Sequence, residues 1–189
     1  MSTSTEKDTI PKWNLNDLYK GMQVPEILND LNQAKVSAEA FASMYKGKLL
    51  NINKKKFCQS IEDYEELSEA LAKIMSYAQL LFSADSENGH IANFYQDISE
   101  RVTEISSITL FYELEINRID DAILDEKMKY SSTQKFKSWI AAIRANRPYQ
   151  LADDLEKILH EKSITGRASW SRLFDETMAG MRFEVNGRM

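Results

Sequence analysis

The sequence predicts an all-α chain: a long antiparallel helical hairpin or bundle, shorter helices after it, and an incomplete β-hairpin at the C-terminal end. Three observations predict this. Only six glycines and three prolines occur in 189 residues, less than half the usual share of about 12%. No proline lies between Pro25 and Pro148. Apolar residues recur every three or four positions through two long stretches, as one face of an α-helix requires. An aromatic content of 10% and a hydrophobic content of 43% argue against disorder.

The elements follow in order. Residues 1–12 form a polar leader expected to be disordered. Trp13 to Tyr19 reads as a short anchoring segment before Gly21. Pro25 suits the first turn of a helix, where its missing N–H costs nothing. Ile27, Leu28, Leu31, Ala34, Ala38, Phe41, Ala42 and Tyr45 carry the period onward, and Gly47 supplies a left-handed stop. Asn53 is the expected N-cap of a second helix, striped by Phe57, Ile61, Tyr64, Leu67, Leu71, Ile74, Ala78, Leu81 and Phe82. A third is expected unbroken from Gly89 to Arg118, through Ile91, Phe94, Ile98, Val102, Ile105, Ile108, Tyr112 and Ile116. The short turn at 85–89 folds it back against the second.

Shorter helices are expected next. Residues 121–129 form a charged one. Ser131 and Gln134 have capping-box spacing, and Phe136, Trp139, Ile140 and Ile143 line the face that follows. Arg147-Pro148 ends that helix, with Arg144 and Arg147 where cations favour a C-terminus. Residues 153–161 should turn Leu155, Ile158 and Leu159 inward, and residues 168–179 carry Trp170, Leu173, Phe174 and Met178. After Gly180, Phe183 and Val185 alternate with Arg182 and Glu184, and Asn186-Gly187 is a hairpin-turn pair. Its second strand is missing, so the tail reads as a cut edge. Nothing marks a repeat, a linker or a domain boundary, and residues 1–189 read as a single helical region.

Composition also bounds function. The net charge of −5 weighs against a dedicated nucleic-acid binder, which needs a basic face, and Lys54-Lys55-Lys56 is too short to supply one. The longest apolar run, 74–84, cannot span a bilayer. One cysteine, Cys58, allows no intrachain disulfide. With no secretory leader, the reading is a cytoplasmic protein without membrane or nucleic-acid partners.

Candidate chemistry is sparse. His160-Glu161 begins the zinc-protease pattern H-E-x-x-H, but its fifth position is Ile164, and the metal needs two imidazoles one turn apart. His90 reads as a solvated turn residue and Cys58 as a small buried hydrophobe. Glu62, Asp63, Glu65, Glu66 and Glu69 read as a solvated face near a helix N-terminus. There is no glycine-rich phosphate loop, G-x-S-x-G elbow or C-x-x-C pair. No catalytic, cofactor-binding or metal residue is assigned.

Several segments together resemble the N-terminal part of the oligoendopeptidase F family of zinc metallopeptidases, relatives of thimet oligopeptidase. Trp13-Asn14-Leu15-Asn16-Asp17-Leu18-Tyr19 is similar to that family's W-x-L-x-D-L-Y opening, and Tyr45-Lys46-Gly47-Lys48-Leu49 to its Y-x-G-K-L step. Tyr64-Glu65-Glu66-Leu67, Tyr77-Ala78-Gln79-Leu80 and Phe111-Tyr112-Glu113-Leu114-Glu115-Ile116 continue the match. Arg147-Pro148-Tyr149-Gln150-Leu151, Glu156-Lys157-Ile158-Leu159, Thr165-Gly166 and Trp170 through Leu173-Phe174-Asp175-Glu176 form its richest part. The resemblance implies a helical scaffold forming one wall of a deep channel, with oligopeptide substrates. Zinc and the catalytic glutamate would lie in a later catalytic half, a partner absent from this chain. On this reading the chain is non-catalytic by itself. The alternative is a free-standing helical module that binds a partner through a groove.

Overall fold

The computed structural model describes residues 13–184. Eight α-helices occur among them: α1 (Pro25–Tyr45), α2 (Lys54–Ala84), α3 (Gly89–Thr109), α4 (Phe111–Arg118), α5 (Asp121–Met128), α6 (Lys137–Ala145), α7 (Asp153–Ser163) and α8 (Ser169–Gly180). Short 3₁₀ turns at Ser131–Phe136 and Arg147–Tyr149 flank α6. A π-type turn at Ile164–Ala168, with a non-helical Gly166, joins α7 to α8.

Helix boundaries follow local chemistry. The Asn53 side chain accepts a hydrogen bond from the Lys56 amide at 2.9 Å and starts α2. Gly47 has φ +74°, the left-handed region where a Cβ is costly, and its amide donates to Glu115 Oε1 at 2.6 Å. Asn88 caps α3 through the His90 amide. The Ser131–Gln134 capping box does not form: Ser131 begins a 3₁₀ turn without a side-chain cap, and Gln134 donates to the Met128 carbonyl instead.

The helix expected over 89–118 is interrupted at Leu110. Ser106 Oγ donates to Thr103 O and Thr109 Oγ1 to Ser106 O, both at 3.1 Å. Leu110 itself keeps helical angles, φ −52° and ψ −35°, so α4 continues directly from α3.

α1, α2 and α3 pack as a three-helix bundle. The α2–α3 pair is antiparallel: Phe82 stacks on Tyr95 near the turn (5.0 Å), Ser99 meets Met75 further along (3.8 Å), and Tyr64 reaches Glu113 of α4, beyond the end of α3 (3.0 Å). One apolar cluster fills the bundle, including Leu31, Ala38, Leu71, Ile74, Tyr77 and Ile98. A second lies where the end of α1 and the start of α2 meet α4, α5 and α6, around Tyr45, Phe57, Ile61, Tyr112, Ile116 and Ile140. Tyr112 is fully buried and its hydroxyl pairs with Ser60 Oγ at 2.8 Å.

Two further expectations are corrected. The C-terminal β-hairpin is not seen: residues 181–184 are irregular and exposed, and no strand occurs among the described residues. A strand needs a ladder partner, and none lies beside Phe183 among the described residues. Asn186-Gly187 and the leader 1–12 lie outside the described residues. Nor do Leu155, Ile158 and Leu159 point inward: they are 48%, 53% and 56% exposed. Their helix is held by its polar side instead.

Candidate functional site

The residues with candidate chemistry lie apart. Cys58 is buried in the second apolar cluster. His90 is exposed at the start of α3. His160 Nε2 pairs with Ser106 Oγ at 2.8 Å. Ser106 lies sixteen residues beyond His90 on α3, which separates the two imidazoles by roughly 24 Å at 1.5 Å per residue. One zinc ion needs its nitrogen ligands about 2 Å away. Among the described residues no group of three or more His, Cys, Asp or Glu side chains could hold a metal ion. The donor set of a zinc peptidase does not fit these residues, and no hydrolytic step is assigned to them.

The acidic face of α2 divides. Asp63 accepts from the Tyr45 hydroxyl at 2.5 Å, and Glu62 pairs with Lys135 at 3.2 Å. The Tyr45 hydroxyl is held protonated above the usual phenol range, by burial first and by the Asp63 hydrogen bond second. Asp30 likewise accepts from Tyr19 at 2.6 Å. Asp30 and Asp63 line a groove of about 480 Å³ between α1 and α2, so two of its carboxylates are already partnered. Lys56 lies over the Tyr45 ring at 5.1 Å, while Lys54 and Lys55 are exposed.

The most unusual feature is the α7–α8 arm. It runs antiparallel beside α3, since His160 meets Ser106, Arg172 meets Gln96, and Arg182 meets Glu87 before the helix starts. Asp153 anchors its beginning to Arg118 of α4. Hydrogen bonding to Arg118 holds the Asp153 carboxyl below its usual range and raises the guanidinium. The partly covered positions of α7 are Glu156 and His160, and those of α8 include Arg172 and Glu176. These fall on one helical face, and most are polar. The opposite face carries Leu155, Ile158, Leu159, Trp170, Leu173, Phe174 and Met178, all at least 48% exposed. Neither helix has a buried residue.

This arm is amphipathic with its apolar side turned to solvent. Monomeric soluble proteins rarely leave so continuous an apolar surface bare, and such a surface marks an interaction site. The stripe itself is visible in the sequence; its direction is not. On the polar side, His160 and Arg172 meet hydrogen-bonding groups on α3, while Glu156 accepts from the Leu151 amide and Glu176 pairs with Arg172.

Comparison with known proteins places this arm inside a family match. The family model described as Oligopeptidase F matches residues 115–183. An Oligoendopeptidase F homolog from Borreliella burgdorferi is 24% identical over 176 residues, 93% of this chain and 29% of that protein. The chain thus spans less than a third of the curated relative's length. No solved structure matches. These matches bear out the resemblance to the N-terminal part of the oligoendopeptidase F family. No helix among the described residues is long and apolar enough to cross a membrane.

Proposed function

We propose that this chain is a non-catalytic structural domain of an oligoendopeptidase F-like zinc metalloendopeptidase, forming one wall of an oligopeptide channel. In this reading it acts only together with a catalytic half that supplies the metal site. The observation that carries the reading is the outward apolar face of α7–α8, which lies within the family match at residues 115–183. Its seven large apolar side chains are half to three-quarters exposed. Burying the rest would gain about 1 kcal/mol each, or on the order of 7 kcal/mol in gross, before the cost of docking. The polar face is committed to α3, so the partner must come from the other side.

The test is to read the coding DNA beyond codon 189. A frame encoding H-E-x-x-H there supports the reading. Expressing the chain joined to that frame should then produce chelator-sensitive cleavage of a quenched oligopeptide, which the 189-residue chain alone lacks. Hydrogen exchange across α7–α8 should slow in the joined protein. No such frame, or chelator-sensitive cleavage by the short chain alone, would overturn it. The first of those outcomes would favour a free-standing module that uses the same apolar face for another protein.

A further inference from the structure

A second cleft, of about 730 Å³, runs between α2 and the 3₁₀ turn and helix that precede Arg147. Its α2 wall carries Tyr64, Glu65, Ser68 and Glu69. Spacings of three and four put these four side chains on one helical face. The opposite wall carries the half-buried Trp139 and, beneath Lys135, the buried Phe136. Tyr64 and Trp139 are 5.8 Å apart between ring centroids, tilted by 40°. The cleft therefore has the partly exposed rings of Tyr64 and Trp139, packed against each other, at its floor, and two carboxylates, one helical turn apart, along one rim.

Those carboxylates differ from Glu62 and Asp63 on α2. Glu62 is paired with Lys135, and Asp63 accepts from Tyr45. Glu65 and Glu69 are exposed and have no salt-bridge or hydrogen-bond partner among the described residues. The cleft also shows how a cation sits in it: Lys135, on its edge, places its ammonium 4.6 Å from the Phe136 ring centroid while bridging Glu62. With that pair neutralised, the cleft keeps two unpaired negative charges beside aromatic faces.

We infer that this cleft receives an arginine side chain of a peptide segment. A guanidinium is planar, stacks on aromatic rings, and spreads its donors in a fork that two neighbouring carboxylates can accept. An ammonium is a point charge and can satisfy only part of that pattern. Ser68 and Ala72, also on the cleft wall, are small, which leaves room for the peptide backbone over α2. The groove between α1 and α2 is the weaker candidate, because Asp30 and Asp63 there already accept tyrosine hydroxyls. The inference does not depend on the peptidase reading, since it concerns a surface away from the α7–α8 arm.

The experiment titrates the full chain with acetyl-Gly-Arg-Gly-amide and follows backbone and indole amide resonances by NMR. Saturable shifts are expected at the Trp139 indole N–H and at the Ser68 and Ser138 amides. The same peptide with citrulline, which keeps the shape and removes the charge, should bind at least about tenfold more weakly, and the lysine peptide severalfold more weakly. The double variant Glu65→Gln, Glu69→Gln changes two exposed side chains with similar helix propensity and keeps the fold. It should weaken arginine-peptide binding at least about tenfold. Glu66→Gln, on the α1–α2 groove, should leave binding unchanged. Equal binding of the citrulline or lysine peptide, or no loss in the Glu65/Glu69 variant, would overturn the inference. So would shifts centred on Asp63 and Glu66.

Discussion

Replacing Arg144 with alanine should destabilise the chain far more than removing the charge it visibly pairs with. Arg144 lies in the last turn of α6, yet its guanidinium crosses to the end of α4. Nη1 donates to the carbonyls of Ile116 at 2.8 Å and Ile119 at 2.7 Å, groups at a helix C-terminus that lack full intrahelical partners. The side chain is 12% exposed, and Ile116 and Ile119 are buried. Hydrogen bonds to a charged donor contribute about 1.5–3 kcal/mol each. Ile116 O keeps the Ile119 amide at 3.3 Å, and water would reach part of the vacated space. The expected loss for Arg144→Ala is therefore about 3 kcal/mol rather than the full sum. For a chain of this size that lowers Tm by roughly 6–12 °C. Asp121, the ion-pair partner of Arg144, is 77% exposed, and Asp121→Asn should cost under about 1 kcal/mol. Arg144→Lys should fall between, because a point charge cannot span both carbonyls. Urea unfolding followed by far-ultraviolet circular dichroism measures all three. A loss under about 1 kcal/mol for Arg144→Ala, or equal losses for Arg144→Ala and Asp121→Asn, would refute the capping argument.

Three further outcomes are expected. Phe57→Ala should cost about 3–5 kcal/mol in urea unfolding, because Phe57 is fully buried in the second apolar cluster. Burial raises the phenols of Tyr19, Tyr45, Tyr64 and Tyr112 well above their ordinary value. Their folded pKa values exceed the unfolded value near 10, so this contribution is fully present below about pH 10 and is lost as pH rises further. Ultraviolet titration should therefore show these four ionising together with alkaline unfolding, above about pH 10. Native-state hydrogen exchange should report a lower opening free energy for α7 and α8 than for the middle of α2, because neither α7 nor α8 has a buried residue. Equal protection would show that polar contacts alone hold the arm as firmly as a packed core.

The helical class was legible in the sequence because it depends on short-range rules. Scarce glycine and proline, apolar spacings of three and four, and the caps at Asn53 and Gly47 act within one or two turns, and each appears where the residues put it. The motif series from Trp13 to Glu176 pointed to the family by the same linear logic. What the tertiary structure decided involves partners far apart in the chain. Arg144 sits where it could favour its own helix end, and it caps α4 instead. Glu65 and Glu69 are indistinguishable from Glu62 and Asp63 along the sequence; only the third-dimensional reach of Lys135 and Tyr45 separates paired from unpaired carboxylates. The α7–α8 stripe shows the limit most clearly. Periodicity states that a helix has one apolar side, but not which neighbour covers it. Here α3 offers Gln96 and Ser106 to the arm, burying an unmatched polar group is costly, and so the polar side turns inward and the apolar side is left facing out.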